Sequence, residues 1–115
     1  MQIRLKRAYD KPSKQDDTRI LVDRVWPRGL KKEDAHIDHW LRDIAPSTEL
    51  RKWFSHDPDK WTEFKRRYFG ELDRNRDAVA ELRKLAGKER VTLVFSARDE
   101  DHNNAVVLKD YLRQS

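Results

Sequence analysis

Two short apolar runs limit most strongly what this chain can fold into. Residues 20–22 are Ile-Leu-Val, and residues 91–95 are apolar at four of five positions. Such runs lack the alternation of a strand with one solvated face and are typical of strands covered on both faces. We therefore expect two buried strands there, and the alternation of Ile3 and Leu5 with charged residues indicates a half-buried strand before them.

Between and after these runs the apolar residues recur at helical spacing. Turn and cap residues divide this part of the chain into segments. We predict a helix around residues 37–44 that Pro46 ends, a short helix capped by Ser47, a helical stretch from Asp57 to Gly87 with a bend near Asn75, and a final helix over residues 105–112.

The order strand, helices, strand, helix implies a parallel pair of strands joined by a helical crossover. A chain of 115 residues has room for one domain and one core. The sequence therefore predicts a single α/β domain over residues 1–115, with a small, mostly parallel sheet of about three strands flanked by helices.

Composition excludes several kinds of chemistry. The chain contains no cysteine, which rules out disulfides, a thiol nucleophile and a cysteine-type zinc site. It shows neither a signal segment nor a membrane span, so we expect a cytoplasmic protein without membrane contact. The net charge of +5 is concentrated in residues 1–30, where eight Lys/Arg stand against four Asp/Glu. A basic N-terminal third of this kind is able to attract phosphates.

Dense polar clusters follow the two buried runs, in residues 23–29 and 96–104. The carboxyl ends of parallel strands meet at one edge of the sheet, where open α/β folds bind their ligands. Asp23 directly follows three apolar residues, and burial of a carboxylate is costly unless it is paired. It is either a general base, a metal ligand or a hydroxyl-binding group, or else a structural acceptor for loop amides or for Arg24, Arg28 or Arg98.

The second cluster offers a wider choice of groups. Asp99, Glu100 and Asp101 either cap the following helix or bind a phosphate through a divalent metal such as Mg²⁺. Arg28 and Arg98 are alternatives for direct phosphate binding. Two histidines are candidate general acids or bases, or else capping groups: His102 in this loop and His56 after two aromatic residues. His36 and His39 are interpreted as a surface pair, and no metal site is predicted.

Trp26 differs from the other tryptophans of the chain. The other tryptophans, at positions 40, 53 and 61, have helical spacing with apolar residues and are expected in the core. Trp26 lies between Arg24 and Arg28 at the end of a predicted strand, so we expect it to line a pocket.

Several strings make the chain resemble the YeaO-like branch of the domain-of-unknown-function 488 family. They are residues 6–10 (KRAYD), 21–29 (LVDRVWPRG), 45–47 (APS), 50–57 (LRKWFSHD) and 96–105 (SARDEDHNNA). The resemblance implies an α/β domain of the bacterial or archaeal cytoplasm. The larger branch of the family resembles this chain around Asp23 but carries cysteines near the positions of Ser96 and Asp101. The resemblance thus supports Asp23 and His102 as site residues and disfavours thiol chemistry.

The leading hypothesis is a strand-end pocket for an anionic small molecule such as a nucleotide or phosphate ester, and it leaves open whether the protein is an enzyme. In it Asp23 and His102 do acid–base or hydroxyl-binding work. The other predicted ligand-binding residues are Arg24, Trp26, Arg28, His56, Ser96, Arg98, Asp99 and Asn103. Two alternatives compete with it: a non-catalytic nucleic-acid-binding protein that uses the basic N-terminal third and Trp26, and a purely structural hydrogen-bond network. The sequence indicates neither a cofactor nor an oligomeric state.

Overall fold

The computed structural model of the chain describes residues 2–114 and confirms the predicted α/β class. All strand pairs in these residues are parallel, and the spatial order is β1-β4-β2-β3, so the sheet has four strands where about three were expected. The strands are β1 (Ile3–Arg7), β2 (Thr18–Leu21), β3 (His39–Trp40) and β4 (Val91–Phe95).

The two predicted apolar runs lie side by side at the centre of the sheet. In β4, Leu93 is opposite Leu5 of β1 on one side and Ile20 of β2 on the other. The link from β1 to β2 contains a single 3₁₀ turn, Lys14–Asp16, and β1 nevertheless runs parallel to β4. The carboxyl ends of β1, β2 and β4 therefore meet at one edge.

The longer helices cover one face of this sheet, and loops with one short helix cover the other. The helices of the described residues are α1 (Lys32–Ala35), α2 (Thr48–Phe54), α3 (Trp61–Arg74), α4 (Arg76–Lys88) and α5 (Asn104–Arg113), with 3₁₀ turns at Arg42–Ile44 and Pro58–Lys60. Ile20, Leu93 and Phe95 face the helices in the main core. Leu21 and Val94 face the opposite side, where the loop after β2 packs on them.

The predicted helix starts and the predicted bend are confirmed. The Ser47 hydroxyl accepts a hydrogen bond from the Leu50 N–H at 3.1 Å, which caps α2, and the Asp57 carboxylate caps the turn that enters α3. The long helical stretch breaks at Asn75, whose amide donates to the Asp43 carbonyl at 2.8 Å. The Asn75 side chain thus bonds to a distant carbonyl at the point where the helix ends, and α4 folds back on the core after it.

The predicted helix around residues 37–44 is wrong. His36 adopts a left-handed conformation (φ 50°) and ends α1, after which the chain pairs with β2 as the short strand β3. The Leu41 N–H donates to the Leu21 carbonyl at 3.0 Å, and the Asp38 N–H donates to the Arg19 carbonyl at 2.9 Å. The apolar residues at helical spacing pack into two separate hydrophobic clusters, so they do not form one helix face. The backbone hydrogen bonds to β2 therefore determine the local structure.

A buried ionic cluster lies on the loop-covered face of the sheet. Asp16 and Arg19 are 5% and 3% exposed, and Arg19 Nη1 lies 2.7 Å from Asp16 Oδ2. Lys6 Nζ approaches the same carboxylate at 3.1 Å, and the Thr92 hydroxyl donates to the Asp16 carbonyl. Lys6, Arg19 and Thr92 share this face because they alternate with the apolar residues that face the helices.

Over residues 2–114, the helices are too short or too polar to cross a bilayer.

Candidate functional site

A cavity of about 590 Å³ opens beyond the carboxyl ends of β2 and β4. Its walls come from the loops that follow these two strands, from α2 and α3 and from the start of α5. Of the ten side chains predicted from the sequence, those that line it are Asp23, Arg24, His56, Ser96, Arg98, Asp99, His102 and Asn103. The two predicted clusters of polar residues are thus brought together at one place.

Asp23 ties three elements together at the base of this cavity. Its Oδ2 accepts hydrogen bonds from the Ser96 N–H at 2.9 Å and from the Ser96 hydroxyl at 2.6 Å. Its Oδ1 accepts from the Asn104 amide at 3.0 Å, and that amide also donates to the Val22 carbonyl. Among residues 2–114, Asp23 forms no salt bridge. Its partners are therefore the end of β4 and the first residue of α5 rather than arginines.

His102 is oriented by Asp99 and by an aromatic ring. Its Nδ1 lies 2.9 Å from Asp99 Oδ2, and its ring meets the Trp61 ring edge-on at a centroid distance of 5.1 Å. Asp99 Oδ1 also accepts from the N–H groups of Asp101 and His102. These interactions, led by the Asp101 N–H, lower the pKa of Asp99, which therefore stays ionised beside the imidazole.

The N-terminus of α5 is capped by Asn103 rather than by the acidic residues before it. Asn103 Oδ1 accepts from the Val106 N–H at 3.1 Å, and its amide donates to the Asp99 carbonyl. Asp99 instead closes the turn over residues 99–102. The acidic run therefore precedes the helix, and the polar face of its first turn borders the cavity.

Three arginines of the cavity have no acidic partner. Among residues 2–114, Arg24, Arg51 and Arg98 take part in no salt bridge. Arg24 donates one bond to the Ala45 carbonyl, and Arg51 donates one to the Thr48 hydroxyl. The Nε atoms of Arg24 and Arg51 are buried and have no hydrogen-bond partner in the described part of the chain. Buried donors without acceptors are costly, and the guanidinium groups that carry them line the cavity without a counter-charge in residues 2–114.

Sequence reasoning did not identify the wall that α2 and α3 contribute. Arg51 and Phe54 from α2 and Phe64 from α3 line the cavity, and the two phenylalanine rings stack at a centroid distance of 4.2 Å. Asn104, which holds Asp23, was also missed. The string from residue 50 to residue 57 carries part of the family resemblance, but no local pattern shows that α2 packs over the strand ends.

Trp26 and Arg28 do not line the cavity. The loop after β2 turns at Pro27 and folds across the sheet face opposite the helices. Trp26 packs edge-on against Trp40 at 5.5 Å and donates its indole N–H to the Leu30 carbonyl at 2.6 Å. Arg28 is exposed, and its carbonyl accepts from the Tyr9 hydroxyl. The bare face of the sheet needs an apolar cover, and Trp26 provides part of it.

Two consecutive residues at the end of α2 adopt the left-handed conformation, Ser55 with φ 46° and His56 with φ 56°. This turn brings the His56 ring to the cavity.

Non-glycine residues lose about 1 kcal/mol or more of stability in the left-handed conformation. Ser55→Gly is therefore expected to raise the free energy of unfolding by about 1 kcal/mol in urea denaturation. Ser55→Ala keeps the strain and should leave stability nearly unchanged, and equal effects of the two variants would contradict this explanation.

Potential metal ligands are dispersed in this structure. Within the residues that it describes, His, Asp and Glu side chains do not gather in groups of three or more with the geometry of a metal site. Asp23 instead accepts hydrogen bonds from Ser96, and Asp99 and His102 bond to each other.

Comparison with known proteins finds one family and several relatives. A family model described as the inactive DUF488-N3 subclade matches residues 2–115. The chain is 43% identical over 113 residues to the uncharacterized protein YeaO of Escherichia coli K12, and the match covers 98% of each chain. The uncharacterized protein Rv3073c of Mycobacterium tuberculosis H37Rv is 43% identical over 110 residues, which cover 96% of this chain and 92% of that protein. No solved structure gives a significant match. The resemblance indicated by the sequence strings is confirmed.

Proposed function

Because the chain belongs to the inactive DUF488-N3 subclade of the DUF488 family, we propose that it binds an anionic small molecule in the strand-end cavity without converting it. The ligand class is a nucleotide or another phosphate ester. The proposal includes a cytoplasmic location, where such molecules are abundant.

The observation that carries this proposal is the charge balance inside the cavity. Its carboxylates, Asp23 and Asp99, are both satisfied by protein donors. Its arginines, Arg24, Arg51 and Arg98, have no acidic partner in residues 2–114. The guanidinium groups are therefore free to neutralise a ligand, and charge-assisted bonds from arginine to phosphate are among the strongest polar contacts in proteins.

The size and the wall of the cavity support the same ligand class. A volume of about 590 Å³ lies within the range of small-molecule sites, roughly 300–1,000 Å³. Pro46, Phe54 and Phe64 contribute apolar lining, which suits a base or a sugar ring. Arg24, Arg51 and Arg98 line the same cavity and suit a phosphate. A pocket with both surfaces fits a nucleotide better than it fits free phosphate.

Binding without conversion is supported by the state of the polar groups. The Ser96 hydroxyl already donates to Asp23 at 2.6 Å, and both oxygens of Asp23 accept protein hydrogen bonds. Both oxygens of Asp23 are thus used to join the loops after β2 and β4 to the start of α5, which favours a structural role for this carboxylate. His102, fixed by Asp99, is left as a hydrogen-bonding group for a ligand hydroxyl or phosphate oxygen.

Calorimetric titration with inorganic phosphate, a sugar phosphate and nucleoside monophosphates tests the proposal. We expect the tightest binding for one of the organic phosphates. Arg51→Ala is expected to weaken it by about 10- to 100-fold, because a bond to a charged group contributes roughly 1.5–3 kcal/mol. Arg76→Ala, an exposed arginine at the start of α4, is the matched control and should bind like the parent.

Two results would overturn the proposal. One is the absence of binding by the whole panel when the protein is folded. The other is phosphorus NMR evidence that the bound ester is cleaved or transferred, since this would show turnover. An equal loss of affinity in Arg51→Ala and Arg76→Ala would move the binding site away from the cavity.

A further inference from the structure

Two large apolar side chains are exposed at the edge of the sheet that holds the cavity. Val25 lines the cavity and is 64% exposed, and Tyr9, which follows β1, is 46% exposed. In the described part of the chain these are the large hydrophobic side chains that stay exposed. Both lie at the edge of the sheet where the proposed ligand binds. Since Tyr9 is not part of the cavity wall, a ligand confined to the cavity leaves its ring in water.

The Tyr9 ring is held by contacts with Arg28 and Arg7. Its hydroxyl donates to the Arg28 carbonyl at 2.8 Å, and the Arg7 guanidinium lies 5.4 Å from its centroid. Arg7 in turn donates to the carbonyl of Ala97, a residue of the cavity wall. A ring that is fixed in this way loses little conformational entropy when a second flat group stacks on it.

The surroundings of this ring are cationic. Residues 7–11 and 24–31 contain five Lys/Arg and a single acidic residue, Asp10. Glu100 and Asp101 are exposed on the other loop of the edge. A polyanion that extends out of the cavity is therefore attracted to the cationic surface around Tyr9, Val25 and Arg28. It is repelled by the acidic loop of residues 99–102.

We propose that the cavity takes the phosphorylated terminal nucleotide of a single-stranded nucleic acid, whose next base stacks on Tyr9 while its backbone passes Arg28. This inference rests on the proposed function, since it assigns the occupant of the cavity to the end of a strand. Stacking on an aromatic ring combined with arginine contacts to phosphates is the usual means of binding single strands. In a duplex the base next to the terminal one is covered on both faces by its neighbours, so it has no free face for Tyr9.

The nucleic-acid alternative based on the sequence uses Trp26, whereas the exposed ring at this edge of the sheet is that of Tyr9. Trp26, the residue expected from the sequence, packs against Trp40 and uses its indole N–H within its own loop. Tyr9 has the exposed ring surface that stacking requires, and Val25 adds an exposed apolar contact.

Fluorescence anisotropy of the full chain tests the inference with a labelled, terminally phosphorylated single strand of about six nucleotides. Unlabelled nucleoside monophosphate serves as competitor and gives the affinity of the cavity alone. We expect the strand to bind at least about tenfold more tightly than the mononucleotide, with an affinity that falls as salt rises. Tyr9→Ala should remove about tenfold from strand binding and leave mononucleotide binding unchanged. Tyr9→Phe, which keeps the ring, should retain most of the strand affinity.

The outcomes separate this inference from the proposed function. Equal affinity for mononucleotide and strand, or strand binding that Tyr9→Ala does not weaken, would overturn the strand assignment and leave the small-molecule pocket standing. An acidic peptide that displaces the strand at equal concentration would overturn the assignment to nucleic acid. Loss of binding to both probes by the folded parent protein would refute both proposals.

Discussion

Replacement of Asp16 by alanine is expected to lower the free energy of unfolding by about 3–5 kcal/mol. The change removes the acidic centre of the ionic cluster between Asp16, Lys6 and Arg19. Arg19 is 3% exposed, so its positive charge would remain buried without a counter-charge. Breaking a buried pair from one side costs far more than the pair contributes, because the remaining charge is desolvated.

The surroundings of Arg19 make this loss hard to repair. Its Nε donates to the Ala35 carbonyl at 3.1 Å, and its Nη2 is already buried without a partner in the described residues. The Asp16 carboxylate also accepts from the Ser13 N–H at 3.0 Å, within the turn that leads to β2. The variant therefore loses an ion pair and a loop contact in the same step.

The cluster also predicts a specific pH dependence. Burial by itself would raise the pKa of Asp16, but hydrogen bonds from Ser13, Lys6 and Arg19 together hold it below its ordinary value of 3.8. A carboxyl whose pKa is lower in the folded state stabilises the protein above its unfolded pKa, and this contribution is lost as the pH falls through the folded value. The stability difference between parent and Asp16→Asn should therefore be constant near neutral pH and shrink below about pH 4.

Urea denaturation of parent and variants from neutral to acid pH measures both effects. Asp17→Asn is the matched control. Asp17 is next to Asp16 in the chain, but its carboxylate is more exposed and pairs with Arg90 at 3.3 Å on the surface. We expect it to change stability by less than about 1 kcal/mol. Similar losses in the two variants, or a pH-independent gap for Asp16→Asn, would contradict the ionic account.

Asp23→Ala is expected to cost about 2–3 kcal/mol, less than Asp16→Ala. It leaves the Ser96 N–H and hydroxyl without their acceptor and frees the start of α5 from the end of β2. The loss is smaller because Asp23 is only partly buried and no arginine among residues 2–114 is paired with it. Ser96→Ala, which keeps the backbone bond, should cost about 1 kcal/mol.

The same variants distinguish a structural Asp23 from a ligand-binding one. A residue that serves only a ligand is expected to cost little stability when replaced, and its removal even stabilises some proteins. Denaturation and calorimetry with a nucleoside monophosphate should be measured together on Asp23→Asn, whose amide cannot accept all three bonds. We expect a stability loss comparable to that of Asp23→Ala and weaker binding that results from the displaced loops. Unchanged stability with abolished binding would make Asp23 a direct ligand contact instead.

Local patterns predicted the parts of the fold that depend on local rules. The apolar runs at residues 20–22 and 91–95 are buried in the sheet because a strand that is apolar on both faces must have both faces covered. Ser47 and Asp57 begin helical segments because their side chains accept bonds from N–H groups two or three residues ahead. The helix breaks at Asn75, as the length of that stretch suggested.

The wrong elements are those in which distant partners compete with local periodicity. Residues 37–44 have helical spacing, but β2 offers free backbone groups to Leu41 and Asp38, and pairing as β3 satisfies them. Trp26 follows a strand end like a pocket residue, but the uncovered face of the sheet draws it to Trp40. Neither competitor is visible in the local sequence.

By itself the sequence determined the α/β class, the buried strands, the caps and the two polar segments that follow the strands, because each depends on side chains a few residues apart. Only the tertiary structure decided which polar groups meet. It joined Asp23 to Ser96 and Asn104, at separations of 73 and 81 residues. Beside the same cavity it left Arg24 and Arg51 without acidic partners among residues 2–114. Which charges are paired and which stay free depends on the packing of whole elements, and the function proposed for the cavity depends on that difference.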